Sequence, residues 1–140
     1  MASPLSKPKS IMKVIETNLN ELSKEQHERM VEKGFYDGSK QIGTLLMLTV
    51  SELSEALEAD RKGRHSDLKE FEKHLQEGIS EEQKKEAFKM FMKDTFEDEI
   101  ADTFIRLLDL CGHLGIDIDA HIKHKMWYNS TRPPKHGKAY

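Results

Sequence analysis

Apolar residues recur every three to four positions along most of this chain, a spacing typical of amphipathic helices. The pattern predicts a first helix over about residues 10–33, with a break near residues 22–25, where Ser23 is a candidate N-cap. Gly34 ends this helix, and a second helix is predicted from residue 39 or 40 to residue 62. Each helix carries an apolar stripe that has to pack against another element.

Two shorter helices are predicted within residues 63–93. The first is amphipathic, begins at Ser66 and ends near Gly78. Ser80 and Gln83 have the spacing of a capping box and predict the start of the second. The apolar surface of this second helix consists of Ala87, Phe88, Met90, Phe91 and Met92. Surfaces of methionine and phenylalanine more often serve packing than ligand binding, so we expect the segment to cover a site or to contact another subunit.

A long and largely apolar helix follows, opened by a predicted capping box over residues 94–97 and closed by residues 112–115. Its charged residues share one stripe, which consists of Asp98, Glu99, Asp102, Arg106 and Asp109. A helix that is apolar around most of its circumference is usually buried, so the stripe is expected to face an internal cleft or an interface. The last helix begins at Asp117 or Asp119 and runs to about Tyr128.

Length and composition limit the class of protein. A chain of 140 residues is enough for one domain with a core, which we assign to residues 11–128, between a leader (residues 1–10) and a basic tail (residues 129–140). The net charge is −3 and 34% of residues are charged, a balance that argues against binding of a nucleic-acid polymer. No apolar run is long enough to span a membrane. The single cysteine, Cys111, fits a reducing compartment, and the cytoplasm is expected.

The candidate chemistry lies in two pairs of carboxylates, Glu52 with Glu55 and Glu99 with Asp102. Side chains three residues apart leave the same side of a helix and can reach one object. If the two helices face each other, the four carboxylates repel one another and those under apolar residues lose solvation. A hard divalent cation relieves both effects, because Mg²⁺ prefers oxygen ligands and commonly also holds substrate phosphates.

The angular position of each acid separates a site from a solvated face. At about 100° per residue, Glu52 falls among the apolar residues of its helix, beside Leu48 and Ala56. A carboxylate on an apolar stripe favours a metal site over a solvated face. For Asp98 and Asp109 we favour a solvated stripe with an Arg106 ion pair.

The two acidic helices, residues 48–57 and 99–108, resemble those of the MazG-like all-α nucleoside triphosphate pyrophosphohydrolases. The resemblance covers roughly residues 34–132. It implies an all-α helical bundle, here with residues 63–93 as an inserted helical segment, that cleaves a nucleoside triphosphate to the monophosphate and pyrophosphate. The family commonly carries a further acid at the position of Thr49, so Glu55 is expected to supply the missing ligand.

The resemblance also implies roles for the candidate site residues. Glu52, Glu55, Glu99 and Asp102 are expected to bind Mg²⁺, with Mn²⁺ as a possible substitute, and Glu55 is the candidate general base. The expected partners are a nucleoside triphosphate and further copies of the chain, in a homodimer or homotetramer. The largely apolar helix also exceeds what one bundle of this length readily buries.

Further substrate contacts are expected outside the acidic helices. Phe35 and Tyr36 follow the first helix and either fill the core beneath a turn or stack on the base. Lys125, Asn129 and Arg132 lie at or near helical spacing in the last helix and tail. They resemble the family's phosphate or sugar contacts, and the alternative is a solvated extension.

Two other classes of protein remain alternatives. A di-iron carboxylate bundle requires Glu-x-x-His pairs, and no histidine in this sequence has an acid three residues before it. A non-catalytic helical interaction module, with its acids merely solvated, is the second. Release of pyrophosphate from a nucleotide would exclude that module.

Overall fold

The structure, a computed structural model, describes residues 18–137, with side chains described to residue 135. Within this range the chain forms α-helices and no strand, so the all-α prediction is confirmed. The helices are α1 (Leu19–Glu32), α2 (Ile42–Arg61), α3 (Leu68–His74), α4 (Glu81–Phe91), α5 (Phe96–Leu114) and α6 (Ile118–Ser130), followed by a 3-10 turn at Pro134–Gly137. The predicted leader and residues 10–17 of the predicted first helix lie outside the described residues. The predicted helix does not run through Asn18, because Asn18 is the N-cap of α1, which begins at Leu19.

The central helix is α5, which packs against α1 on one side and α2 on another. At the start of α5, the Phe96 N–H donates a 2.9 Å hydrogen bond to the carbonyl of Arg64, just beyond the end of α2. Further along, Arg106 of α5 donates to Glu52 of α2. The two helices therefore run antiparallel. Helix α1 is also antiparallel to α5. His27 of α1 contacts Asp109 of α5, whereas Leu19, at the start of α1, donates to Asp119, which follows α5 in the chain.

A buried carboxylate holds the connection between α1 and α2. Since both helices run antiparallel to α5, residues 33–41 have to return along it. The Tyr36 hydroxyl donates to Asp109 Oδ2 at 2.8 Å, and His27 Nδ1 lies 2.9 Å from Asp109 Oδ1. The Tyr36 ring also contacts the His113 ring, with centroids 4.6 Å apart. Asp109 is therefore not solvated as expected, because Tyr36 and His27 take the place of water.

The N-termini of α1 and α6 cap each other. Asn18 is the N-cap of α1, and Asp119 accepts from the N–H groups of Leu19 and Asn20 at 3.3 and 3.0 Å. In return, the Asn20 side chain accepts from two N–H groups in the first turn of α6. The prediction of an N-cap at Ser23 is wrong, because Ser23 is buried within an unbroken α1. The end of α6 at Ser130 lies two residues beyond the predicted end.

The predicted insertion forms a hairpin of α3 and α4. Phe71 and Phe88 join the two helices edge to face, with ring centroids 5.8 Å apart. At the base, the Asp67 N–H donates to the Phe91 carbonyl at 2.9 Å. The predicted capping box at the start of α4 is confirmed. The hairpin is thus closed at its base and packed along its length.

The cap of α5 differs from the predicted one. Thr95 is the N-cap and accepts from the Asp98 N–H at 3.4 Å, while the Asp98 carboxylate accepts from the Asp94 N–H at 2.9 Å. The predicted capping box over residues 94–97 is therefore wrong, because the N-cap is Thr95, one residue later, and the Asp98 carboxylate accepts from the residue before it. Glu97 instead accepts from the Ser66 N–H at 2.8 Å. That bond ties the hairpin to α5.

The hydrophobic core is small. It consists of Ala56, Ala59, Phe71, Ala87, Leu110 and Cys111. The expectation that α5 is buried around most of its circumference is wrong for a single chain, because α1 and α2 leave part of it uncovered and Phe104 is 63% exposed. Although α5 is apolar, neither it nor any other described helix is long and apolar enough to cross a membrane.

Replacing Gly112 with alanine should destabilise the protein, because α1 approaches α5 closely at this glycine. A Cβ there would lie 2.5 Å from the Ser23 carbonyl oxygen and 2.7 Å from His27 Cβ. We expect a loss of about 1–3 kcal/mol in the free energy of unfolding, typical of overpacking, measured by urea denaturation.

The matched control is Gly43→Ala in α2, where a Cβ meets nothing within 4 Å. That variant should be neutral or stabilised by up to about 1 kcal/mol, because alanine favours helix over glycine. Equal stability of the two variants would contradict the close contact of α1 with α5.

Candidate functional site

Three of the four predicted metal ligands meet between α2 and α5. Glu52, Glu99 and Asp102 each offer a carboxylate oxygen, and these oxygens lie within 4.8 Å of one another. Glu52 and Glu99 are buried, and Asp102 is half-buried. We call these three residues the acid cluster. The antiparallel contact of the two helices brings the two predicted acidic pairs to one place.

Glu99 is the deepest member of the acid cluster and is only 6% exposed. Among the described residues, no hydrogen-bond donor reaches its carboxylate. Burial, followed by the charges of Glu55 and Glu52, raises its pKa to about 7. The same cause, burial, also raises the pKa of Asp102. The cluster therefore holds carboxylates whose negative charge is poorly compensated within the chain.

Arg106 is the cation nearest to the cluster. Its Nε donates to Glu52 Oε1, so the guanidinium bridges α5 and α2. The expected ion pair of Arg106 with Asp98 or Asp109 on its own helix is thus replaced by a pair with Glu52. The positive charge of Arg106 lowers the pKa of Asp102, but burial and nearby carboxylates outweigh it. One arginine therefore compensates only part of the negative charge.

Glu55 and Asp98 lie at the edge of the acid cluster. Glu55 is exposed and lines the same cleft, but it is not among the three residues whose oxygens converge. Asp98 and Asp94 form a second group of close carboxylate oxygens with Glu99. Asp98 is half-buried and lines the cleft, so the expectation that it is simply solvated is wrong. Its carboxylate also caps the start of α5.

Thr49 occupies the position where the resembled family commonly has an acid. Its side chain is buried, and its hydroxyl donates to the Leu45 carbonyl in the preceding turn of α2 at 3.1 Å. Because this hydroxyl is engaged within its own helix, it takes no part in the acid cluster.

The acid cluster opens into a cleft of about 500 Å³ between α5, α2 and the hairpin. On the side of the hairpin, the cleft is lined by Lys85, Phe88, Lys89 and Lys93. None of these lysines was among the predicted site residues. The spacing of four residues between Lys85 and Lys89 was a usable signal, since it places both on one face of α4, and Lys93 follows in the turn after it. The expectation that α4 lies over the site agrees with this geometry.

Phe35 and Tyr36 do not line the cleft of the acid cluster. Tyr36 is half-buried, with its hydroxyl on Asp109 and its ring against His27 and His113. These contacts favour the interpretation of Tyr36 as a plug beneath the turn. Phe35 is 53% exposed. A role of either residue in stacking on a base stays a prediction.

Lys125, Asn129 and Arg132 also lie outside the lining of the cleft. Lys125 and Arg132 both approach the ring of Tyr128, at 5.3 and 5.9 Å from its centroid. The side-chain oxygen of Asn129 is buried without a hydrogen-bond partner. These three residues form a separate group at the end of α6, and their role in phosphate or sugar binding stays a prediction.

The donor set of the acid cluster fits a hard divalent cation. All of its donors are carboxylate oxygens, which Mg²⁺ and Mn²⁺ accept, and it contains no thiolate or imidazole that would favour a softer metal. The buried Glu99 carboxylate, which has no hydrogen-bond partner among the residues that the structure describes, is the strongest indication, because burial of an uncompensated charge is unfavourable.

Comparison with known proteins adds no assignment. The chain matches no protein-family model, and neither the curated proteins nor the solved structures yield a match. The function has to be argued from the residues and their geometry.

The raised pKa of Glu99 predicts how the metal-free protein responds to pH. A carboxyl with a pKa of about 7 in the folded chain, against about 4.3 when unfolded, binds its proton more tightly when folded. Its contribution to stability is therefore present below the unfolded pKa and lost as the pH rises through about 7. We expect the free energy of unfolding in EDTA to fall between pH 5 and pH 8.

Glu99→Gln should make this pH dependence distinctly shallower, with Asp102 accounting for part of the remaining slope. Urea denaturation at several pH values measures it. Glu28→Gln, an exposed substitution on α1, is the control and should keep the wild-type slope. An unchanged slope in Glu99→Gln would contradict the raised pKa.

Proposed function

We propose that this protein is a Mg²⁺-dependent nucleoside triphosphate pyrophosphohydrolase. The observation that carries the proposal is the convergence of Glu52, Glu99 and Asp102, with Glu99 buried and without a hydrogen-bond donor in residues 18–137. The resemblance of both acidic helices to the MazG-like family supports it. The cleft volume, about 500 Å³, lies within the range of small-molecule sites, about 300–1,000 Å³.

The residues of the cleft suit attack by water at the α-phosphorus. Glu52, Glu99 and Asp102 would hold Mg²⁺, which supplies charge neutralisation of the phosphate oxygens and a lower pKa for the attacking water. Glu55 lines the cleft outside the acid cluster, so it is our candidate to accept the proton of that water. The new bond joins the water oxygen to the α-phosphorus, and the bond to the bridging oxygen breaks to release pyrophosphate.

We also propose that the working form is a homodimer or homotetramer. No large side chain in the described residues is fully buried, and such a core hardly offsets the conformational entropy of folding. Large apolar side chains are exposed on α2 and α5, including Met47, Val50, Leu53, Leu57 and Phe104. A second copy offers the same apolar faces, so a symmetric contact would cover both at once.

Association with a second copy would also explain how the predicted substrate contacts that lie away from the cleft reach the substrate. Phe35, Lys125, Asn129 and Arg132 do not line the cleft of their own chain. Their proposed contacts with base, sugar or phosphate therefore require a second copy that brings them to the cleft. The buried Cys111 thiol is consistent with work in a reducing compartment, and we place the activity in the cytoplasm.

The reaction products test the proposed activity directly. In a panel of nucleotides with Mg²⁺, we expect one or more triphosphates to yield the monophosphate and pyrophosphate, with no orthophosphate in the first turnover. In ¹⁸O-labelled water, the label should enter the monophosphate, because water attacks the α-phosphorus. Release of orthophosphate with a diphosphate product would contradict the proposal.

Substitutions in the cluster supply the controls. Glu99→Gln and Asp102→Asn should abolish Mg²⁺-dependent hydrolysis while circular dichroism shows that the helices persist. Glu55→Gln should impair the reaction nearly as much as Glu52→Gln, because Glu55 is the candidate to accept the proton of the attacking water. Full activity of Glu99→Gln or Asp102→Asn would remove the metal-site assignment.

Light scattering after size exclusion tests the proposed assembly. We expect a mass that is an even multiple of the 16.2 kDa chain. Phe104→Glu and Leu53→Glu place a charge on the exposed faces of α5 and α2 and should shift the mass toward the monomer. A matched substitution on a polar face, Lys69→Glu on α3, should leave the mass unchanged. A wild-type protein that is monomeric at high concentration would rule out the assembly.

A further inference from the structure

Three lysines of α4 and of the turn after it face the acid cluster across the cleft. Lys85, Lys89 and Lys93 all line the cleft, together with Phe88. Lys85 and Lys89 are four residues apart on α4, so they stand about 6 Å from each other on one face. Lys93 follows in the turn after α4 and lines the same cleft. We call these three residues the lysine column. The cleft therefore has an acidic wall on α2 and α5, and the opposite side carries the three lysines together with Asp94.

Each lysine of the column pairs with an acid outside the acid cluster, although the partner of Lys93, Asp94, lies in a group of close carboxylate oxygens with Glu99. Lys85 lies 3.9 Å from Glu82, Lys89 lies 2.7 Å from Glu86 and Lys93 lies 2.6 Å from Asp94. These partners are close in sequence to each lysine, and none is a member of the acid cluster. All six side chains are more than half exposed. Exposed pairs of this kind contribute little to stability, so the ammonium groups can turn toward a stronger anion.

A polyphosphate with a bound divalent cation fits between these two walls, because the cation faces the carboxylates and the phosphate oxygens face the lysines. The acid cluster alone repels a phosphate chain, even when one divalent cation is bound, because a triphosphate carries more charge than that cation neutralises. During cleavage, further negative charge develops on the departing pyrophosphate. Ammonium groups that face this charge are the usual means of stabilising it. The lysine column supplies them on the opposite side from the carboxylates.

We propose that Lys85, Lys89 and Lys93 bind the β- and γ-phosphates, the part of the substrate that leaves as pyrophosphate. This inference rests on the proposed function and assigns the inserted hairpin a role in it. The column would select triphosphates over diphosphates, because a diphosphate lacks the phosphate that reaches furthest along it. The hairpin acts as the phosphate-binding wall of the site rather than only as its cover.

Binding of inorganic pyrophosphate tests the lysine column separately from catalysis. The test variant is the triple substitution Lys85→Gln, Lys89→Gln, Lys93→Gln. Its control is a triple substitution to glutamine of exposed lysines that do not line the cleft, Lys24, Lys69 and Lys84. Both variants change the net charge equally, and circular dichroism checks that both keep their helices. Calorimetry measures pyrophosphate binding with Mg²⁺, and Mn²⁺ binding without pyrophosphate.

We expect the Kd of the test variant for pyrophosphate to be about tenfold higher or more, because the substitutions remove at least one charge-assisted hydrogen bond. The control should bind it like wild type. Mn²⁺ alone should bind the test variant as tightly as wild type or tighter, since positive charge near the acid cluster is removed. In kinetic assays, the ratio of the hydrolysis rate of a triphosphate to that of the matching diphosphate should fall in the test variant only.

The outcomes separate this inference from the proposed function. If Mn²⁺ binds wild type but not Glu99→Gln, and the lysine variant still binds pyrophosphate normally, the lysine column is refuted and the metal site stands. If pyrophosphate binding depends on the lysines but no Glu99-dependent Mn²⁺ binding occurs, the metal-based function is refuted and the lysine column stands. If wild type binds neither probe, both proposals are refuted.

Discussion

Repulsion among carboxylates held between α2 and α5 is the constraint on which the rest of the structure depends. Glu99 is buried among other acids, no donor in the described part of the chain reaches its carboxylate, and its pKa is raised to about 7. Arg106 pairs with Glu52 and offsets part of the charge. Such an arrangement opposes folding of the metal-free chain. Its presence on the contact between the two principal helices is easiest to understand if a cation binds there.

Other residues of α5 hold α1 and the connection between α1 and α2 in place. Gly112 lets α1 approach closely on one side, and Asp109 anchors the returning connection through Tyr36 and His27. The polar residues of α5 thus have two roles. Those in its first half contribute to the acid cluster, and Asp109 in its second half holds the connection between α1 and α2 in place. Apolar faces of α5 remain open, as at Phe104.

The α3–α4 hairpin gives the site its second wall. Its base is tied to α5 by the bond from the Ser66 N–H to Glu97, and its two helices are joined by Phe71 and Phe88. The hairpin therefore presents the lysine column from an element that is separate from the acids.

The sequence by itself determined the helices, most of their ends and the acids that meet, because helical periodicity, capping and residue spacing are local properties. It placed Glu52 and Glu99 correctly on buried faces. Only the tertiary structure decided the partners: Arg106 crosses to Glu52, Asp109 is buried by Tyr36 and His27, and the lysines of α4 face the acid cluster. Those outcomes depend on which helices lie side by side and in which direction, and contacts between residues far apart in the chain leave no local pattern.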